Sequence, residues 1–176
     1  MPFTPLHFGP GALFKSIAPR EFSLSVFIFS QVLIDLEPLY FIIRDDWPLH
    51  RFLHTWPGAG LVALASIMIG RPLCEQALAL LRWRIRRRHP SFAVDPIRIS
   101  LRSASIAAVI GAASHVALDS IMHADMQPLA PFSHANHLLD LVTIQTLHLL
   151  CIGAGLLGLA VLGLRQRFQA RRRRDG

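Results

Sequence analysis

Histidines and carboxylates recur in this chain at spacings that suit a metal ion. His115, Asp119 and His123 follow one another at i, i+4 and i+8, so on a helix they share one face. His115 and Asp119, one turn apart, can bind one metal from a single helix. His50 and His54 repeat the i, i+4 spacing, bracketed by Pro48 and Pro57. Asp35, Glu37, Asp125 and His7 are further donors. Imidazoles and carboxylates without a thiolate suit Zn²⁺, Mn²⁺ or Fe²⁺ better than Cu⁺. Such an ion lowers the pKa of a bound water and stabilises charge on a phosphoester or similar group. Asp35 or Glu37, whichever is not a ligand, or Asp125, could then act as general base.

What positions these residues is a set of apolar helices. The chain has 176 residues, which argues for one domain, and it is 52% hydrophobic but only 16% charged. Soluble domains carry about a quarter charged residues, so the deficit points to lipid. A bilayer core of about 30 Å needs roughly 20 apolar helical residues. Four segments qualify: 22–43, 58–81, 103–122 and 141–164. The expected fold is therefore all-α, an integral membrane bundle of about four transmembrane helices, with residues 165–176 as a basic cytoplasmic tail. The second segment is interrupted at Arg71-Pro72 and carries Glu75, which can pair with Arg71 at i, i+4. Cys74 and Cys151 lie inside apolar segments and read as core residues, with no disulfide expected.

The net charge is +7 and the isoelectric point about 11.2, values that would ordinarily raise nucleic acid as a partner. The arginines, however, fall in two blocks between apolar segments, seven within 82–102 and six in the tail. The 123–140 loop has no Lys or Arg, and Asp45 and Asp46 offset Arg44 and Arg51 in the 44–57 loop. The positive-inside rule puts both basic blocks in the cytoplasm and those two loops outside. Lys15 and Arg20 place the N-terminus inside by the same rule. Topology thus accounts for the arginines without nucleic acid, and anionic lipid headgroups become the expected electrostatic contact.

Charges inside a membrane span are costly and usually functional. Here the acids and histidines gather towards the outer end, whereas Gly111 and Ala107 continue the His115 stripe below and would let a neighbouring helix approach closely. Asp35 completes a His/Asp set if the first span lies beside the third. A lone intramembrane His or Asp is often only a packing residue, and His89 and His148 are read that way; His134, His137 and Asp140 read as loop residues. A metal-ion or proton transporter is the alternative to an enzyme, but the stripe below His115 offers no ligands for a through-path. A catalytically silent, metal-stabilised scaffold is a third reading.

Several motifs occur in order: Met1-Pro2-Phe3-Thr4-Pro5-Leu6-His7, Ile34-Asp35-Leu36-Glu37-Pro38, His50-Arg51-Phe52-Leu53-His54-Thr55, Ser114-His115-Val116-Ala117-Leu118-Asp119 and Met126-Gln127-Pro128-Leu129-Ala130-Pro131-Phe132-Ser133. Together, over about residues 1–135, they resemble the YdjM-like (DUF457-type) family of bacterial inner-membrane proteins, described as metal-dependent hydrolases. That family is similar in turn to the zinc-dependent phospholipase C and P1-nuclease group, an all-helical fold with a multinuclear zinc site. The resemblance implies a membrane-bound hydrolase in the bacterial inner membrane with one to three ions, zinc expected; the charge rule puts the site towards the periplasm, and its level near the headgroups points to a small-molecule or lipid-derived substrate. It implies one metal at Asp35, His54 (or His50), His115 and Asp119, with Asp119 bridging towards a second near His7, and His123 as an imperfect counterpart of a further ligand. One tension follows: a cytoplasmic N-terminus would start His7 on the side opposite the other ligands, unless the N-terminal segment re-enters.

Overall fold

The computed structural model describes residues 5–89 and 98–172. Met1–Thr4 of the N-terminal motif, residues 90–97 of the basic loop and 173–176 of the tail lie outside the described residues. The described chain is helical with no strand: α1 (Phe8–Ile17), α2 (Leu24–Ile43), α3 (Trp56–Ala65), α4 (Arg71–Arg88), α5 (Leu101–Met122) and α6 (Ile144–Arg172). Four helical stretches are long and apolar enough to cross a membrane: α2, the continuous α3–α4 stretch Trp56–Arg88, α5 and α6.

The helix starts follow from capping. Ser23 and Ser100 have extended backbones and accept from the N–H groups of Val26 and Ser103, opening α2 and α5. Thr55 does the same for α3, accepting from Gly58 N–H at 3.1 Å, with Pro57 in the first turn where its missing N–H costs nothing. The interruption expected at Arg71-Pro72 is a π-helical turn, Ser66–Gly70, in which the Arg71 N–H reaches the Ser66 carbonyl. The helix therefore continues instead of breaking. Arg71 faces Glu75 at 3.7 Å, as its spacing predicts, and Glu75 also accepts the backbone N–H of Ile99 at 2.7 Å.

Two helix ends run well past the sequence reading. Arg82–Arg88 prolong α4 and Arg165–Arg172 prolong α6, because arginine is a good helix former and its long stem lets the charge leave an apolar face. The described part of the expected tail is thus helix.

The core lies between α2, α3 and α5. Val26, Phe27, Ile34, Ala104, Ala107, Ala108 and Val116 are fully buried there. The close approach expected at Ala107 and Gly111 occurs, with α2 as the neighbour: a Cβ on Gly111 would fall on the Ser30 hydroxyl. This contact sets Asp35 of α2 beside His115 of α5.

The N-terminal segment doubles back before α2. His7 ends a 3₁₀ turn (Pro5–His7) buried against α5. From there α1 runs back to Lys15, which donates to the carbonyls of Pro19 and Phe22 at 2.7 Å each. Lys15 also shares a cleft with Arg165 and Arg172, so the turn into α2 lies at the arginine end of the bundle. Ten residues cover about 15 Å, half a bilayer core. Lys15 thus lies at the arginine end of the bundle, while His7 stands at the level of the other donors.

The interface between α1 and α6 is made of glycine. A Cβ on Gly9 would strike the Cys151 carbonyl, and one on Gly158 would sit 2.5 Å from the Ala12 carbonyl carbon. Without those side chains the two backbones touch, as small residues permit inside a membrane.

Candidate metal centre

Each inner donor arrives on a different element. α2 carries Gln31, Asp35 and Glu37; the turn before α3 carries His54; α5 carries His115 and Asp119; the turn before α1 carries His7. Asp35, His54, His115 and Asp119 are all buried, and one donor atom from each lies within 4.8 Å of the others. His115 Nε2 stands 3.1 Å from Asp119 Oδ2 and 3.3 Å from Asp35 Oδ1. His54 Nε2 is 3.6 Å from Asp119 Oδ2, and His7 Nε2 is 3.6 Å from Asp119 Oδ1. Asp119 therefore turns one oxygen to His54 and His115 and the other to His7.

The tautomers of two of these histidines follow from their outer partners. Glu37 accepts from His54 Nδ1 at 3.0 Å and also from the backbone N–H groups of Arg51 and Leu53. A carboxylate only accepts, so His54 carries its proton on Nδ1. Gln31 donates its amide to the Gly111 carbonyl at 2.9 Å, which leaves Oε1 to accept from His115 Nδ1 at 2.6 Å. In the neutral rings both Nε2 atoms then present lone pairs to carboxylate oxygens. Acceptor facing acceptor is unfavourable unless a cation lies between them. The Nε2 atoms of His54 and His115, and both ring nitrogens of His7, are buried without a hydrogen bond, which is rare in native structures. The described residues thus fit a metal ion: convergent, unpartnered imidazole nitrogens and two carboxylates, with outer partners fixing the rings.

His7 lies outside the spanning helices. Its pKa is pushed down from 6.5 to about 4, chiefly by burial, against the opposing charge of Asp119 and with help from His115, His123 and His148. It is a neutral imidazole at neutral pH, the form that can ligate. His148, read from sequence as a packing residue, is near enough for its charge to act on His7.

His50, His123 and Asp125 form a second group, again with one atom from each within 4.8 Å of the others. Of the two histidines between which the sequence left the choice open, His54 lies in the inner group and His50 in the upper one. The common face expected for His115, Asp119 and His123 holds only for the first two. α5 ends at Met122, and His123 caps it with an extended backbone (φ −117°, ψ 119°), which carries its side chain off the helical stripe. The His123 ring stacks on His50 with centroids 4.4 Å apart, and His50 meets His54 at 4.8 Å.

Asp125 accepts the backbone N–H groups of Leu49 and His50 at 3.0 and 3.2 Å, and faces His50 Nδ1 at 2.9 Å. Burial alone would raise its pKa, but the His50 hydrogen bond, the His50 charge and those two N–H groups bring it below the usual value. Burial is also the main cause of the lowered pKa of His50 and of His123. Neither His134, which faces Gln127 at 2.7 Å, nor His137 and Asp140 join either group.

Comparison of the chain with protein-family models, with curated proteins and with solved structures finds no match. The functional reading accordingly rests on the site.

Gln31 is the residue that sequence reasoning missed. It lies one turn before Asp35 on the same face of α2, a polar amide in an otherwise apolar run. Its spacing to Asp35 was the available signal.

Proposed function

We propose that this protein is a membrane-embedded, metal-dependent hydrolase that holds zinc at Asp35, His54, His115 and Asp119, with His7 beside them. The observation that carries the reading is the convergence of unpartnered, buried imidazole nitrogens on two carboxylates. A divalent ion bound there supplies positive charge for a phosphoryl oxygen and acidifies water. The chain's own part is to orient: Gln31 and Glu37 hold the His115 and His54 rings by their Nδ1 protons, and Asp119 spans the two sides of the site. The resemblance to YdjM-like proteins supports the same reading.

The level of the site favours an ester near the headgroups. Asp119 lies three residues before the end of α5, and Asp35 eight before the end of α2, which is about 5–12 Å at 1.5 Å per residue. Exposed Tyr40, Trp47, Phe52, Trp56 and Phe132 ring the same end, as aromatic belts do at membrane interfaces. A cleft of about 400 Å³ opens there, lined by His50, Arg51, Phe52, Thr55 and Gln127 among others, a size suited to a small ligand. With the arginine-rich ends of α4 and α6 in the cytoplasm, the site faces the periplasm of a bacterial inner membrane. Transport is the weaker reading, because below the site Phe27, Ala104, Ala107 and Ala108 are fully buried and close the path.

The test is elemental analysis of the protein purified in detergent, with hydrolysis followed on a panel of phosphodiesters and phospholipids. Bound zinc and turnover that both vanish in folded His115→Ala and Asp119→Ala support the reading. Variants that keep metal and activity sink it.

A further inference from the structure

We propose that His50, His123 and Asp125 form a second divalent-cation site, with a coordination position left open to the outside, and that it is the exchangeable, substrate-facing one of the two. Its use in hydrolysis rests on the function proposed above; its existence does not.

The inner set has four protein donors, each below 10% exposed, and two carboxylates that neutralise a divalent ion. Four protein donors hold an ion firmly and leave room for a water only by a fifth coordination position, whereas three leave a position open to water or substrate from the outset. The upper group has three donors and one carboxylate. Only His50 of the three is fully buried; His123 and Asp125 are partly exposed. A cavity of about 100 Å³ adjoins all three, walled by Pro38, Trp47 and Leu49. That volume accommodates an ion and water, since a single water needs only about 10–15 Å³ on this measure.

The supporting framework is present as well. Asp125 is fixed by two backbone N–H groups and by His50 Nδ1. An ion here would take the place of the proton between His50 Nδ1 and Asp125 Oδ1, 2.9 Å apart, while Asp125 Oδ2 stays on the backbone N–H groups of Leu49 and His50. His50 also borders the larger cleft of about 400 Å³ on its other side, so an ion held by the upper group lies between a water-sized cavity and a ligand-sized one. One imidazole contact, His50 to His54, separates the two groups. Fewer donors, one carboxylate in place of two and greater exposure make the upper ion the weaker bound.

The experiment loads metal-free protein in detergent with Zn²⁺ alone or Co²⁺ alone, then follows stoichiometry, cobalt absorption and release to a chelator. Wild-type protein should release metal in a fast and a slow phase. His123→Ala should lose the fast phase and bind one ion fewer per chain, while the slow phase and its cobalt bands persist. Asp125→Asn should do the same; the His123 ring meets the loop by stacking on His50 and by no side-chain hydrogen bond, so its variant serves if Asp125→Asn folds poorly. Release in a single phase from the wild type, or wild-type stoichiometry in a folded His123→Ala, overturns the site. A fast ion lost together with most phosphodiester turnover supports its proposed use, and a fast ion lost with turnover unchanged overturns that use. Two ions bound with no turnover on any ester leaves the site standing and defeats the hydrolase reading instead.

Discussion

Replacing Gln31 by leucine isolates the contribution of ring orientation to metal binding. In the wild type the His115 Nδ1 proton is held by Gln31 Oε1 at 2.6 Å, deep in the bundle, and the amide is itself oriented by the Gly111 carbonyl at 2.9 Å. Leucine is close in size but accepts nothing. The buried Nδ1–H loses its partner, at a cost of about 1–3 kcal/mol, and His115 is no longer bound to the tautomer that aims Nε2 at Asp35 and Asp119. Removing an outer partner of a metal-bound histidine typically weakens metal binding by about 10–100-fold, or roughly 1.4–2.8 kcal/mol. Gln31→Glu retains an acceptor for Nδ1 but turns a carboxylate oxygen to the Gly111 carbonyl, so it should lose less zinc affinity than Gln31→Leu. Ser30→Ala is the control: Ser30 Oγ donates to the Phe27 carbonyl and does not touch His115. The assay is chelator competition for Zn²⁺ in detergent, with folding followed by circular dichroism. A folded Gln31→Leu protein with wild-type zinc affinity would refute the claim that His115 ligates through an Nε2 fixed from behind.

Three other outcomes follow from the geometry. Glu37→Gln keeps one acceptor oxygen but turns an N–H₂ group towards donors now satisfied by the carboxylate; zinc affinity should fall by about 10–100-fold, measured in the same competition. Gly158→Ala places a Cβ 2.5 Å from the Ala12 backbone, while Gly153 has nothing within 4 Å. The first should be less stable than Gly153→Ala by about 1–3 kcal/mol in detergent unfolding, helix propensity cancelling between them, and equal stabilities would remove α1 from α6. The pKa of His7 is lowered to about 4 from 6.5, so the unfolded chain takes up a proton first as pH falls. Stability of the metal-free protein should therefore drop between pH 6.5 and 4, by roughly 3 kcal/mol at most. His7→Ala should flatten that part of the pH profile, and an unchanged slope would contradict a buried, neutral His7.

The spanning helices and the His115–Asp119 pair were readable because both depend on local periodicity. Apolar length marks a span wherever it occurs, and an i, i+4 pair shares a face on any helix. Gly111 and Ala107 even signalled the close approach of a neighbouring helix, which the fold shows to be α2 and which brings in Asp35. What failed to show depends on contacts between distant segments. α1 is not among the expected helices, since it carries Pro10 between Gly9 and Gly11, all poor helix formers; it is secured by the matching glycines of α6. The assignment of His54 to the inner site turns on a 3₁₀ turn held by Glu37, and His123 leaves the stripe because its helix ends one residue earlier. Gln31 escaped notice because it bears no charge, although in this fold it sets the protonation of a central histidine.

The glycine contact between α1 and α6 also has a consequence for biogenesis. More than a hundred residues separate the two helices, and a chain emerges from the ribosome in order. α2, α3 and α5 can bring Asp35, His54, His115 and Asp119 together before α6 is made. His7 can be seated only once α6 supplies the groove for Gly9 and Ala12. Completion of the centre thus reports that the final span has been inserted, and a ribosome-bound chain halted before residue 144 should hold its inner set without His7.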